Sequence, residues 1–192
     1  MLSVMALMLL TEESQQRLLN LAKESIQHGI ATGKVLRVDL ADFSVELKKP
    51  CATFVTLQKH RQLRGCIGVL EAIRPLAEDV AENAFSAAFK DPRFPKLTAD
   101  ELPDLTLHLS LLTPVEPVLF TSEQDLLAQL KPGVDGLILQ QGHRRGTFLP
   151  SVWESLPKPE QFLRQLKQKA GLPPDFWSDQ LQFFRYRTEI IE

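Results

Sequence analysis

Residues 105–113, "LTLHLSLLT", alternate apolar and polar side chains as far as Leu111. Leu105, Leu107, Leu109 and Leu111 share one side of a strand, and Thr106, His108 and Ser110 share the other. A helical rhythm holds upstream, where Leu18, Leu19, Ala22 and Ile26 recur at the spacing of one helix face. Thr11 suits the N-cap of that helix, with Glu12 and Glu13 at the positive end of its dipole. Gly29 and Gly33 are expected to end it. A second helix follows Pro75. Leu76, Val80, Ala84 and Ala87 give it one face, and Ala77, Ala81, Phe85 and Ala88 a second. So many alanines predict a helix packed closely on a sheet. Pro92 and Pro95 in "KDPRFPKL" forbid its continuation. Thr98 and Glu101 then form a capping box.

The β-rich runs "CATFVTL" (51–57) and "LRGCIGVL" (63–70) flank "QKHRQ" and predict a hairpin with a five-residue loop. Residues 35–48 alternate loosely and predict one or two further strands. Downstream, Ser122 caps a short helix carrying Leu126, Leu127 and Leu130. "KPGVDGLILQQGHRRGTFLP" (131–150) reads as turn, strand, glycine turn, strand. Pro159 opens a helix with Phe162, Leu163 and Leu166, and Gly171 closes it. "LQFFRYRTEII" (181–191) is a last strand. Strands come in hairpins without a βαβ rhythm, which predicts an α+β fold with antiparallel sheet.

With 44% hydrophobic and 24% charged residues the composition is that of a globular protein. A formal charge of −2 gives no global attraction to nucleic acid or to an anionic membrane. Two cysteines make neither a disulfide framework nor a zinc site, and point to a reducing compartment, hence a cytoplasmic location. The apolar "MLSVMALMLL" is too short to span a bilayer and is expected to pack as an arm.

Candidate chemistry gathers in "HRQLRGCIGVLE" (60–71). With residue 57 opposite 63, Cys66 faces Phe54 and Arg64 faces Thr56, while Val55, Leu57, Leu63 and Ile67 turn to the core. Gly65 and Gly68 are poor strand residues and suit a bulge or a close backbone approach. A thiol beside an arginine is a thiolate candidate; a free cysteine is equally a small core hydrophobe. Cys51 reads as structural. His143, Arg144 and Arg145 form a basic turn, better read as solvated surface than as an anion loop. Asp91 and Arg93 bracket Pro92 as a local ion pair or as the wall of a cleft. His108 and Ser110 lie on the polar strand face without triad spacing. Trp153 reads as core, and Glu154 as an acid/base or a surface charge.

Seven strings occur in the order characteristic of the AMMECR domain family: "FVTL" (54–57), "LRGCIG" (63–68), "DPRF" (91–94), "DGLIL" (135–139), "GTFLP" (146–150), "VWE" (152–154) and "KAGL" (169–172). The chain resembles that family over nearly its whole length after the first helix. The resemblance implies a single domain of two interleaved lobes over 1–192, α+β with mainly antiparallel sheets and packed helices, and a motif cysteine near the cleft between lobes. Prokaryotic members form the A component of the AmmeMemoRadiSam system, encoded near a Memo-like protein and a radical SAM protein. The motif positions fall on Arg64, Gly65, Cys66, Gly68, Asp91, Arg93, Gly146 and Glu154. Relatives often carry Pro-Gly-Lys before "DGL"; here Val134 follows Gly133, so a lysine role is absent at that place.

Two functions follow as expectations. The first is a cytoplasmic enzyme or enzyme component, with Cys66 and Glu154 catalytic. Arg64, Gly65, Gly68, Asp91 and Arg93 would bind a small anionic substrate, with no metal and no cofactor. The alternative is a non-catalytic adaptor that docks on Memo-like or radical SAM proteins. RNA binding through Lys131, Arg144 and Arg145 is disfavoured, because no aromatic-basic strip accompanies them.

Overall fold

A computed structural model describes residues 10–192. The expected arm lies, apart from Leu10, outside the described residues. The chain divides into two compact units. One takes in the described residues up to Leu112 and then Glu189–Glu192; the other is Thr113–Thr188.

In the first unit, helix α1 spans Glu12–Thr32, and the Thr11 hydroxyl accepts from the Ser14 N–H. Gly33 ends it at φ 72°. Gly29 does not end it: it is buried within the helix, where a Cβ would collide with the Phe85 and Phe89 rings. Residues 35–48 form no strand; they make two 3-10 turns, Leu40–Asp42 and Glu46–Lys48. Strands β1 (Thr53–Lys59) and β2 (Gln62–Gly68) form the predicted hairpin, and helix α2 covers Leu76–Phe89. The Thr98–Glu101 capping box opens a 3-10 helix, Ala99–Asp104, which leads into β3 (Leu105–Leu112). The sheet runs β2-β1-β3-β8, with β8 at Thr188–Ile191. Val55, Leu57, Leu107, Leu109 and Leu111 join one buried cluster with the alanine-rich face of α2 and the apolar face of α1. Both helices therefore cover one side of the sheet.

A buried carboxylate ties the start of β1 to α2. Asp79 Oδ2 accepts from the Thr53 N–H at 3.0 Å, the Thr53 hydroxyl at 2.7 Å and the Asn83 amide at 2.9 Å. Its Oδ1 takes Arg74 Nε and Nη2 at 3.0 and 2.8 Å.

The second unit has a sheet ordered β4-β7-β5-β6, with β4 at Glu116–Pro117, β5 at Gly136–Gln141, β6 at Arg144–Phe148 and β7 at Gln182–Tyr186. Helices α3 (Glu123–Gln129) and α4 (Pro159–Lys169) accompany it. The final apolar run is thus two strands, one in each sheet, broken at Arg187. Trp153 stacks on Phe162 with centroids 3.7 Å apart, and its Nε1 donates to the Asp135 carbonyl at 2.7 Å. This is the core role read for it. The fold is α+β with mainly antiparallel sheets, as predicted. Among the described residues no helix is long and apolar enough to cross a membrane.

Candidate functional site

The hairpin departs from simple alternation at two places. Its turn holds two residues, not five: His60 and Arg61, at φ 51° and 64°. Two consecutive left-handed residues match the right-handed twist of the strands. The pairing then slips by one. Gln58 faces Leu63, Leu57 faces Gly65 and Thr56 faces Cys66, leaving Arg64 as the extra residue of a bulge. The expected register, with Phe54 opposite Cys66, is two residues off: the shorter turn shifts the pairing by one and the bulge by one more. The slip turns Leu63 away from the core, and it is 44% exposed.

The bulge explains where each motif side chain goes. Gly65 falls on the core side, under α2, where a Cβ would run into the Ala87 carbonyl. A Cβ at Gly68 would run into the Phe54 ring and the Thr53 carbonyl. Both glycines thus serve close backbone approach. Arg64 is buried and bidentate to Glu101, through Nε and Nη2 at 2.8 Å each. That pairing holds the Glu101 carboxyl down at about 2. Arg64 Nη1 has no protein partner.

Cys66 lies on the sheet side away from α1 and α2, partly exposed. Its Sγ is 3.3 Å from the Thr56 hydroxyl. Its peptide is held at both ends. Asp91 Oδ2 accepts the Cys66 N–H at 2.9 Å, and Arg93 Nη2 donates to the Cys66 carbonyl at 3.3 Å. Asp91 and Arg93 are joined by Nε and Nη2 at 2.9 and 2.7 Å, and Asp91 also accepts the Arg93 N–H. Arg93 hydrogen bonds above all, against the cost of burial, hold the Asp91 carboxyl well below the usual carboxylate range. The Asp91 side chain is 2% exposed and that of Arg93 54%. One member of the pair is a buried anchor, and the other keeps donors toward solvent. Phe94 lies beside both guanidiniums, 5.9 Å from Arg64 and 5.5 Å from Arg93.

Thr56 is also paired with His108 on β3. Cys66, Thr56 and His108 therefore form a row across three strands. Strands are about 4.8 Å apart, so the outer two backbones are separated by about 10 Å. His108 thus lies two strands from the thiol. Its Nε2 meets Gln58 Oε1 at 3.3 Å, and Nδ1 is 3.9 Å from Glu192.

The structure thus brings together Arg64, Gly65, Cys66, Gly68, Asp91 and Arg93 in the first unit. Glu154 is exposed in a 3-10 helix of the second unit, Pro150–Glu154. Arg144 in the basic turn donates to the Gly171 carbonyl at 2.8 Å. Sequence reasoning missed Glu101 as the partner of Arg64, because its capping role explained it fully. It also missed Thr56 as the partner of Cys66, because the bulge is invisible in the pattern. Among the described residues no group of three or more His, Cys, Asp or Glu side chains is placed to hold a metal ion.

Residues 19–191, which include every one of these positions, match the AMMECR1 family. The chain belongs to that family. A protein of Methanothermobacter thermautotrophicus is similar to it, 38% identical over 190 residues that cover 95% of each chain. One of Thermotoga maritima is 39% identical over 166 residues, covering 85% of this chain and 90% of its own. The crystal structure of an uncharacterised protein from Pyrococcus horikoshii matches with a TM-score of 0.87 at 34% identity, over 94% of this chain and 92% of that one. The AMMECR1 fold therefore spans essentially the whole of both units.

Proposed function

We propose that this AMMECR1-family chain is an enzyme or enzyme component whose working group is the Cys66 thiol, as nucleophile or as the group that holds a substrate. The observation that carries the reading is the contrast between its two cysteines. Cys51 is buried, and burial pushes its thiol up to about 11. Cys66 is partly exposed, has a hydroxyl 3.3 Å from sulfur, and sits on a peptide locked by a charged pair. Asp91 acts as a positioning residue. The solvent-facing part of Arg93 offers donors to an anionic substrate group, whereas Arg64 is buried against Glu101 and its unpaired Nη1 is sealed from solvent.

The test is alkylation of the native protein with iodoacetamide, followed by peptide mass spectrometry. Cys66 is expected to label at least as fast as a cysteine in an unstructured peptide, and Cys51 only after denaturation. Thr56→Val is expected to change the Cys66 rate several-fold. Native Cys66 labelling about tenfold slower than the peptide would overturn the reading, since thiol reactivity follows thiolate character and access. That result would favour the adaptor alternative, which the family resemblance supports. Co-purification with Memo-like or radical SAM proteins tests that alternative.

A further inference from the structure

We propose that the first unit carries a second binding site, distinct from the Cys66 face, for a small amphipathic anion: a carboxylate with an aryl or acyl body. A cavity of about 760 Å³ opens where the C-terminal ends of α1 and α2 meet the segment around Leu97. That volume is within the usual range for small-molecule sites, roughly 300–1,000 Å³.

Its floor is apolar. Phe85 and Phe89 lie as a tilted pair with centroids 4.9 Å apart, beside Ile30 and Leu97. Gly29 makes room for the rings, since a Cβ there would lie 2.8 Å from Phe85 Cδ2 and closer still to Phe89. Glycine inside a helix is less favourable than alanine, and here it opens α1 to an aromatic surface.

The rim is basic. Lys34, Lys90 and Lys96 line the cavity, and among the described residues no acidic side chain does. The bland explanation is that these lysines answer the negative helix ends, because neither helix has a basic residue in its own last turn. The charges decide against that as a full account. Two helix ends supply about half a negative charge each. Glu82 lies 3.4 Å from Lys90, which also sits 5.2 Å over the Phe85 ring. Three lysines still outweigh these by about one charge. Lys34 and Lys96 are exposed at the mouth. An aromatic floor under a positive rim selects an apolar body with an anionic head, and rejects a cation.

The test uses calorimetric titration of the full chain with 2-naphthoate, with neutral 2-naphthamide and with Lys34→Glu/Lys96→Glu. Both lysines are exposed, so the variant is expected to fold. Saturable naphthoate binding is expected, with the amide and the charge-reversed variant each weaker by about tenfold or more. The variant should leave the Cys66 alkylation rate unchanged. Equal binding of acid and amide, full binding by the variant, or no saturable binding at millimolar naphthoate would overturn the proposal. So would sedimentation with phosphatidylglycerol vesicles in place of naphthoate binding, which would mark a lipid surface.

Discussion

Asp91→Asn removes a charge and one acceptor while keeping the shape. In the native chain the two carboxylate oxygens accept four hydrogen bonds, from the Cys66 N–H, the Arg93 N–H, and Arg93 Nε and Nη2. An amide oxygen at the Oδ1 position still serves the Arg93 N–H and Nε. The amide nitrogen at Oδ2 then confronts two donors, Cys66 N–H and Arg93 Nη2. A buried donor left unpaired costs about 1–3 kcal/mol. The Arg93 side chain is 54% exposed and can turn to water, so its share is that of a surface pair, about 1 kcal/mol at most. The expected destabilisation near neutral pH is therefore about 3 kcal/mol.

The pH dependence has a definite sign. The folded carboxyl is held below its unfolded value, so its stabilisation is complete above the unfolded pKa of about 3.9, begins to decline there, and is lost as pH falls on through the lower folded value. The deficit of the variant is expected to hold constant down to about pH 5 and to shrink by about pH 3. Tryptophan fluorescence is the wrong probe, because Trp153 and Trp177 both belong to the second unit. Urea unfolding followed by circular dichroism, with hydrogen exchange of β2 peptides, reads the first unit. A deficit under about 1 kcal/mol, or one equally large in acid, would refute the two-point clamp on Cys66.

Other outcomes follow from the same geometry. Gly65→Ala drives a methyl into the Ala87 backbone carbonyl and is expected to cost about 2–3 kcal/mol in denaturant titration. Gly142→Ala, at φ 60° over open space, should cost only about 1 kcal/mol. Replacing the turn pair by His60→Asn with Arg61→Gly should stabilise by about 0.5–1 kcal/mol, visible as a raised urea midpoint, because asparagine and glycine adopt left-handed backbone more cheaply. Lys167 is fully buried, with Nζ 2.7 Å from Glu123. Lys167→Met should cost less than about 1.5 kcal/mol, and Lys167→Ala about 3 kcal/mol, by thermal or urea melts.

The alternation of 105–112, the alanine faces of α2, the Thr11 and Ser122 caps and the Thr98–Glu101 box were legible because each rests on local periodicity or chemistry. The register at Arg64 was not. A single bulged residue changes no composition, yet it moves Leu63 off the core, and together with the tight turn it moves Cys66 from Phe54 to Thr56. The turn was missed because histidine and arginine are not the residues that left-handed positions usually select. Gly29 reads as a helix stop because glycine signals both a terminus and a close approach, and only the Phe85 and Phe89 rings distinguish them. The neighbours of the site, Glu101 on Arg64 and His108 beside Thr56, come from distant segments and depend on pairing that no one-dimensional pattern encodes.

The placement of β8 has a consequence for the nascent chain. This strand lies beside β3, but it is made only after the whole second unit. At translation speeds of about 5–20 residues per second, β3 waits on the order of ten seconds with one edge unpaired. That edge belongs to a leucine-rich strand, the kind that recruits other chains. The ribosome therefore releases a first unit that is three-quarters of a sheet, and its last hydrogen-bonded seam can close only when Ile191 has cleared the exit tunnel.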